Sequence, residues 1–124
     1  IGKAKQLNWI NMYVYMDGAD LDLNHFSGLS ELEKLYIVHS SDSNKKIVGL
    51  ENLQMISELT LQNPDKSLVE AASKLKNLTY FSIYNSELSD LNVLKDASKL
   101  KRIDVGWYCP NIMSIPGDSE LPFR

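Results

Sequence analysis

Residues that could take part in metal or acid–base chemistry are few in this chain and lie far apart. The two histidines, His25 and His39, have no second histidine or cysteine at a spacing that would bind zinc. Asp17, Asp20 and Asp22 resemble a calcium loop only superficially, because the acidic order, glycine and late glutamate of an EF-hand are missing. We interpret these side chains as parts of polar turns, and we predict no metal site and no cofactor.

The chain also lacks the residue combinations that activate a nucleophilic cysteine or serine. Cys109 follows two aromatic residues and precedes Pro110, with no histidine nearby in the sequence, so we interpret it as a half-buried structural residue. The six glycines are scattered singly, and no serine lies in a G-x-S-x-G motif. Asn77-Leu-Thr79 is formally a glycosylation sequon, but Leu78 belongs to the apolar repeat described below. We therefore predict that the chain is not an enzyme.

Composition limits the remaining classes. The 124 residues suffice for one domain with a core, and 44% of them are apolar and 23% charged, as in ordinary globular proteins. The net charge of −3 argues against a nucleic-acid partner. A single cysteine excludes an internal disulfide, so packing must hold the fold. No stretch approaches the ~20 apolar residues of a membrane helix, and we predict no membrane insertion.

The strands and turns that would position a site are predicted by a repeat of apolar residues, in which steps of three residues alternate with a step of two. In Leu75-x-x-Leu78-x-x-Phe81-x-Ile83, steps of three end in a doublet two residues apart. Residues two apart share one face of a strand, and about three residues complete a turn of 3-10 helix, so all four side chains should point to one interior. The doublets start at positions 10, 35, 59, 81 and 103, and they are Ile10/Met12, Leu35/Ile37, Leu59/Leu61, Phe81/Ile83 and Ile103/Val105.

This frame resembles the leucine-rich repeat family, whose units run roughly 20–29 residues. The resemblance covers about residues 4–106, and Leu88-Ser-Asp90-Leu91-Asn-Val-Leu94 is similar to the short bacterial internalin-like type. It implies a right-handed α/β repeat solenoid of about five units. A parallel sheet would form the concave face, and turns with short 3-10 or helical segments would form the convex side.

One departure from that family concerns asparagine. The family places an asparagine three residues after each doublet, where its side chain caps backbone groups in a ladder. Here Asn63 and Asn85 come one residue early, so we expect the ladder to be absent or shifted.

The ends of the repeat need covers of their own, since a stack exposes its core at both termini. We assign residues 1–106 to the repeat domain and 107–124 to a C-terminal capping segment, in which Pro110, Pro116 and Pro122 would break any helix. Few residues precede the first copy. Either that unit shields itself or an N-terminal cap lies upstream of Ile1, and we favour the second.

Residues that flank the doublet side chains should point out of the coil onto the concave sheet. Five of these fifteen places hold tryptophan or tyrosine, in a chain that is 9% aromatic. Tyrosine, tryptophan and arginine are typical of protein interfaces. The candidate binding residues are Trp9, Tyr13, Lys34, Tyr36, Glu58, Tyr80, Tyr84, Arg102 and Asp104.

The resemblance implies a non-catalytic, bacterial protein-binding module for recognition or adhesion. Two alternatives stay open: an intracellular regulatory or immunity-type inhibitor that binds one protein target, and carbohydrate binding of a glycan on the aromatic strip. Cross-strand pairing would also explain tyrosines on a sheet without any ligand. The sequence leaves open the partner, the oligomeric state and the compartment, whether bacterial cell surface, secreted or cytoplasmic.

Overall fold

Parallel strands in two small sheets, one α-helix and short 3-10 helices give the described part of the chain an α/β fold. For residues 9–14 and 39 the backbone alone is described. The computed structural model describes residues 9–14, 21–29, 31–39, 46–106, 109, 110 and 112.

The larger sheet has five strands, and every neighbouring pair is parallel. The strands of this sheet follow one another in chain order. Two short strands that lie between them in the sequence pair with each other in a separate sheet. The two short strands are β2 (Leu21–Asp22) and β4 (Ile47–Val48). The five-stranded sheet has the order β1 (Trp9–Val14), β3 (Lys34–His39), β5 (Glu58–Gln62), β6 (Tyr80–Tyr84) and β7 (Arg102–Val105).

The register of the five strands aligns the five doublets. Leu59 pairs with Leu35 on one side and with Phe81 on the other, and the second doublet residues pair in the same way. The prediction that the doublets lie on adjacent parallel strands is therefore confirmed. The assignment to a leucine-rich repeat solenoid stays a prediction.

The connections between strands contain the helical elements. The helix α1 (Lys66–Ala72) begins at Asp65, whose carboxylate accepts a hydrogen bond of 2.9 Å from the Leu68 amide, as an N-cap does. The apolar repeat does not by itself predict this helix. The short 3-10 helices are Leu23–Phe26, Leu50–Asn52 and Asn92–Asp96.

Backbone hydrogen bonds explain the steps of three. The amide of Leu53 donates to the carbonyl of Leu50, and the amide of Ile56 donates to that of Leu53, at 3.0 and 3.1 Å. These are three-residue, 3-10-type bonds, and they join the apolar residues of the repeat to one another. The same links connect Ala72, Leu75 and Leu78, and then Leu91, Leu94, Ala97 and Leu100.

The apolar side chains of the strands and their connections form one core cluster. Leu59, Leu61, Phe81 and Ile83 are 0% exposed, as are Leu53, Ile56, Leu75 and Leu78 from the preceding turns. The last unit is less well covered, since Leu100 and Val105 are only partly buried. Burial of each unit by its neighbours is the arrangement that the apolar repeat predicts.

The turns that follow β5 and β6 depend on the displaced asparagines. Asn63 and Asn85 have φ angles of 56° and 51°, a left-handed conformation that asparagine tolerates better than most residues. Ser86 is buried, and its hydroxyl accepts a hydrogen bond of 3.1 Å from the amide of Leu88. At this place a serine caps the backbone where an asparagine was expected, and the asparagine one residue earlier shapes the turn instead.

Several predictions fall on residues outside the described ranges, among them the first repeat residues Ala4 and Leu7, the turn residues Asp17 and Asp20, and most of 107–124. Within that last segment, Cys109 and Ile112 are partly buried and pack against the core. The capping role of residues 107–124 stays a prediction.

Leu78 tests the register directly. We expect Leu78→Asp to destabilise the domain by several kcal/mol, roughly 3–5, because an unpaired charge would replace a fully buried side chain. Lys76→Asp places the same side chain at an exposed position of the same turn and should leave the urea midpoint almost unchanged. Equal midpoints for the two variants in urea denaturation would contradict the register.

Candidate functional site

The outer face of the large sheet is the side opposite the buried doublets. Most of its described side chains are exposed or half-buried, so the face is open to solvent. Its described members are Lys34, Tyr36, Val38, Glu58, Thr60, Gln62, Tyr80, Ser82, Tyr84, Arg102 and Asp104.

Three of the predicted residues meet in one network across β6 and β7. The Tyr80 hydroxyl donates to Asp104 Oδ2, and Arg102 Nε donates to Asp104 Oδ1 at 2.7 Å. The Arg102 guanidinium carbon also lies 5.8 Å from the centre of the Tyr80 ring, within the range of a cation–π contact. Asp104 thus holds both neighbours, and the face carries no net charge at this end.

The environment of Tyr80 changes its acidity. Partial burial raises the pKa of Tyr80 above its ordinary value of 10.0, because it disfavours the phenolate. The hydrogen bond to the Asp104 carboxylate raises this pKa further, while the nearby Ser82 hydroxyl acts in the opposite direction.

A second group of predicted residues joins β3 to β5. The Tyr36 hydroxyl donates to Gln62 Oε1 at 3.0 Å, reaching diagonally across the sheet. Lys34 Nζ lies 3.5 Å from Glu58 Oε2, and the two residues are register partners. Both of these charged side chains are about half exposed, so their ion pair contributes little to stability, roughly 0–1 kcal/mol.

Tyr84 packs over Gly106 at the C-terminal side of the sheet. A Cβ atom at position 106 would lie 1.9 Å from Cδ1 of the Tyr84 ring. Only glycine therefore lets the ring occupy this place. Cross-strand cover of a glycine by an aromatic ring is a known device for fixing sheet register.

Ser82 departs from expectation, because it lies in an outward row and yet is only 1% exposed. Tyr80 and Tyr84 flank it on the same strand, and Thr60 and Asp104 are its partners on the adjacent strands. Large neighbours around a small side chain leave it little access to solvent. The sequence pattern gives the direction of a side chain but not the size of what surrounds it.

Trp9 and Tyr13, the remaining predicted residues, lie on β1 as the register partners of Lys34 and Val38. Their side chains lie outside the described part of the structure, as does that of His39. The structure thus brings the other seven predicted residues onto the outer face, six of them in two cross-strand groups and the seventh, Tyr84, beside Gly106. It adds Gln62 and Gly106, which the prediction had not singled out.

The other candidates for chemistry have local contacts. Asp22 caps the 3-10 helix Leu23–Phe26 by accepting from the Asn24 amide at 2.9 Å, and its other oxygen is 4.0 Å from His25 Nε2. The Cys109 thiol donates to the Ile83 carbonyl at 3.8 Å, and burial raises the pKa of this thiol. Over the residues that the structure describes, no three His, Cys, Asp or Glu side chains cluster as metal ligands would.

No protein-family model matches the chain, and no curated protein sequence matches it. Within the described ranges, every helix is too short or too polar to cross a membrane. The function has to be argued from the contacts of the outer face itself.

Gly106 gives a test of how the face is built. We expect Gly106→Ala to displace the Tyr84 ring and to destabilise the protein by about 1–3 kcal/mol, since a methyl group would overlap the ring. Gly28→Ala is the matched control, because a Cβ there meets no atom within 4 Å. Combining Gly106→Ala with Tyr84→Ala should recover most of the loss in thermal melting. No recovery would contradict the assigned contact.

Tyr80 gives a test by titration. We expect its ring resonances in NMR to titrate above 10.0, and Asp104→Asn to lower that pKa by removing the acceptor carboxylate. Because the pKa of Tyr80 is raised in the folded state, its contribution to stability is fully present at pH values below the unfolded-state pKa near 10.0. This contribution is lost as the pH rises through the folded-state pKa. Asp96→Asn, which changes an exposed carboxylate off the sheet, should leave the titration unchanged. A Tyr80 pKa that is equal in all three proteins would contradict the network.

Proposed function

We propose that this protein is a non-catalytic protein-binding module of the leucine-rich-repeat type, with its partner docked on the outer face of the large sheet. The finer architecture belongs to the same proposal: a solenoid of about five units with that face on its concave side. Doublets spaced 22 to 25 residues apart, one shared register and three-residue turns between strands support it.

The observation that carries the binding proposal is the set of tyrosines held in place on an open face. Tyr36, Tyr80 and Tyr84 are half-buried. Tyr36 and Tyr80 each bond to a residue of the next strand, and Tyr84 lies against Gly106, just after β7. A ring that is already fixed loses little conformational entropy when a partner covers it. Fixed tyrosines of this kind supply large contact areas with hydroxyl groups at their edges, which protein interfaces favour.

The charges of the face favour packing and hydrogen bonds over net electrostatic attraction. Lys34 pairs with Glu58, and Arg102 pairs with Asp104. Described cations and anions on the outer face are therefore balanced. A partner that packs on the tyrosines would not have to neutralise a surplus charge there.

Cross-strand pairing accounts for the contacts of Tyr36 and Tyr80 without any partner, so binding has to be separated from stability. A purely structural tyrosine would change the melting temperature when it is truncated but would change no affinity. A binding tyrosine changes affinity well beyond any loss of folded protein. The two roles are distinguished by measuring both quantities on the same variant.

Two cellular settings would use the same face: adhesion or recognition at a bacterial surface, and regulation of one target inside the cell. The sequence upstream of Ile1 distinguishes them. A signal peptide or a lipoprotein cysteine would favour the surface, and a methionine start would favour the cytoplasm.

The decisive experiment uses matched truncations. The immobilised chain is used to capture a protein from an extract of its source organism, and the purified partner is then titrated calorimetrically. We expect Tyr36→Ala with Tyr84→Ala to weaken binding at least about tenfold, equivalent to about 1.4 kcal/mol, while melting stays cooperative. Val48→Ala is the control, because Val48 is an apolar side chain on β4, off the outer face, and is 47% exposed.

Unchanged affinity in the double tyrosine variant would contradict the proposal, as would a loss of affinity confined to Val48→Ala. The same two variants on a glycan array address the carbohydrate alternative. Glycan binding that the wild type shows and Tyr36→Ala loses would favour a sugar ligand over a protein.

A further inference from the structure

The residues just before the strands form a charged rim along the N-terminal edge of the outer face. Two positions lie before each strand, one and three residues ahead of it. The nearer positions are aligned between neighbouring strands, because the amides of Ser57, Thr79 and Lys101 donate to the carbonyls of Glu33, Ser57 and Thr79. Among the residues that the structure describes, the amino rim so defined consists of Glu31 and Glu33 before β3, Met55 and Ser57 before β5, Asn77 and Thr79 before β6, and Lys99 and Lys101 before β7.

The amino rim is polarised along the sheet. Its acidic end, at β3, carries two carboxylates, its middle is uncharged, and its basic end, at β7, carries two ammonium groups. All four charged side chains are exposed. Adjacent strands are about 4.8 Å apart, so three spacings separate the ends by about 14 Å, which exceeds the Debye length of about 8 Å at physiological salt. The two ends therefore act as separate charges rather than cancelling each other.

Hydrogen bonds between units hold the rim in this order. The Ser57 amide donates to the Glu33 carbonyl at 2.9 Å, and the Lys101 amide donates to the Thr79 carbonyl at 2.8 Å. Lys99 Nζ donates to Asn77 Oδ1 at 3.0 Å, which places this ammonium group beside the turn that carries Lys76.

The rim charges have no ion-pair partner among the described residues. Ion pairs within 4.0 Å join His25 to Asp22, Lys34 to Glu58 and Arg102 to Asp104, and none of these three includes a rim residue. Glu51 and Asp96 share a shallow surface hollow with Lys76 and Lys99, but they form no ion pair with them. The outer face is internally neutralised, whereas its rim is not.

The geometry points to a partner that lies across the strands in one direction, with an acidic segment against Lys99 and Lys101 and a basic segment against Glu31 and Glu33. This inference rests on the proposed function and adds the partner's charge pattern to it. Lys101 precedes Arg102 and Glu33 precedes Lys34, so both rim ends border outer-face residues. Charges at the margin of an interface mainly set its orientation and association rate.

A uniformly charged partner fits the rim less well. A nucleic acid or an anionic membrane would be attracted to the basic end and repelled by Glu31 and Glu33 at the other. The opposite holds for a uniformly basic protein. A protein surface that carries an acidic and a basic group about three strand spacings apart would be attracted to both ends of the rim at once.

The test uses a variant that reverses the rim without changing the net charge of −3. It combines Glu31→Lys and Glu33→Lys with Lys99→Glu and Lys101→Glu. The probe is an octaglutamate peptide, followed by NMR of the backbone amides at low salt. We expect it to perturb residues 99–101 in the wild type and residues 31–33 in the reversed variant, and to be released at high salt.

Lys99→Gln with Lys101→Gln should weaken octaglutamate binding about fivefold to tenfold, whereas the matched pair Lys46→Gln with Lys66→Gln should not. Binding that is equal in both pairs, or that stays at residues 99–101 in the reversed variant, would overturn the proposal. So would tighter binding of phosphatidylserine vesicles or of a single-stranded oligonucleotide through the same lysines. Failure here leaves the tyrosine test of the outer face standing, because that test changes no charge.

Discussion

Each described strand of the large sheet, with the turn before it, presents one row of apolar side chains, and the adjacent strands and turns cover that row. Three-residue hydrogen bonds set the side chains of that row in line, as between Leu75 and Leu78, and the strand that follows adds two more, Phe81 and Ile83. A fully buried leucine or phenylalanine contributes about 1.5–3 kcal/mol, so the loss of contact between units would remove most of the stabilisation of the core. The parallel sheet, the turns and the surface all depend on this mutual burial.

The outer face is a direct consequence of the same register. Because residues two apart share a side of the strand, the alignment that buries Leu59 beside Phe81 also brings Glu58 beside Tyr80 and Gln62 beside Tyr84. The chain has used these outward positions for tyrosines and paired charges rather than for a second apolar layer. A surface built in this way is chemically varied, with tyrosines beside cations and anions. Four further charged residues, Glu31, Glu33, Lys99 and Lys101, lie just before its strands.

The sequence indicates the buried positions better than the surface contacts. The doublets and the steps of three follow from the type and spacing of the apolar side chains, and they predicted the five longer strands, their register and the three-residue turns correctly. The helix α1 was not foreseen, although Asp65 before an apolar pair is a capping signal. The short strands β2 and β4 contain two residues each, too few for any period to show.

The side-chain contacts on the outer face could not be predicted from the sequence, for a different reason. Which way Tyr36 or Tyr80 leans depends on side-chain rotamers and on partners more than 20 residues away, such as Gln62 and Asp104. Gly106 illustrates the same limit, because its role is to leave room for a ring on the preceding strand. The burial of Ser82 arises from its neighbours and not from its own position in the pattern.

Cross-strand nuclear Overhauser effects test the central claim, that the units lie side by side in one direction and one register. We expect parallel-type contacts between Tyr36 and Thr60, Thr60 and Ser82, and Ser82 and Asp104. Antiparallel contacts, a shifted set of partners, or none between these residues would contradict it.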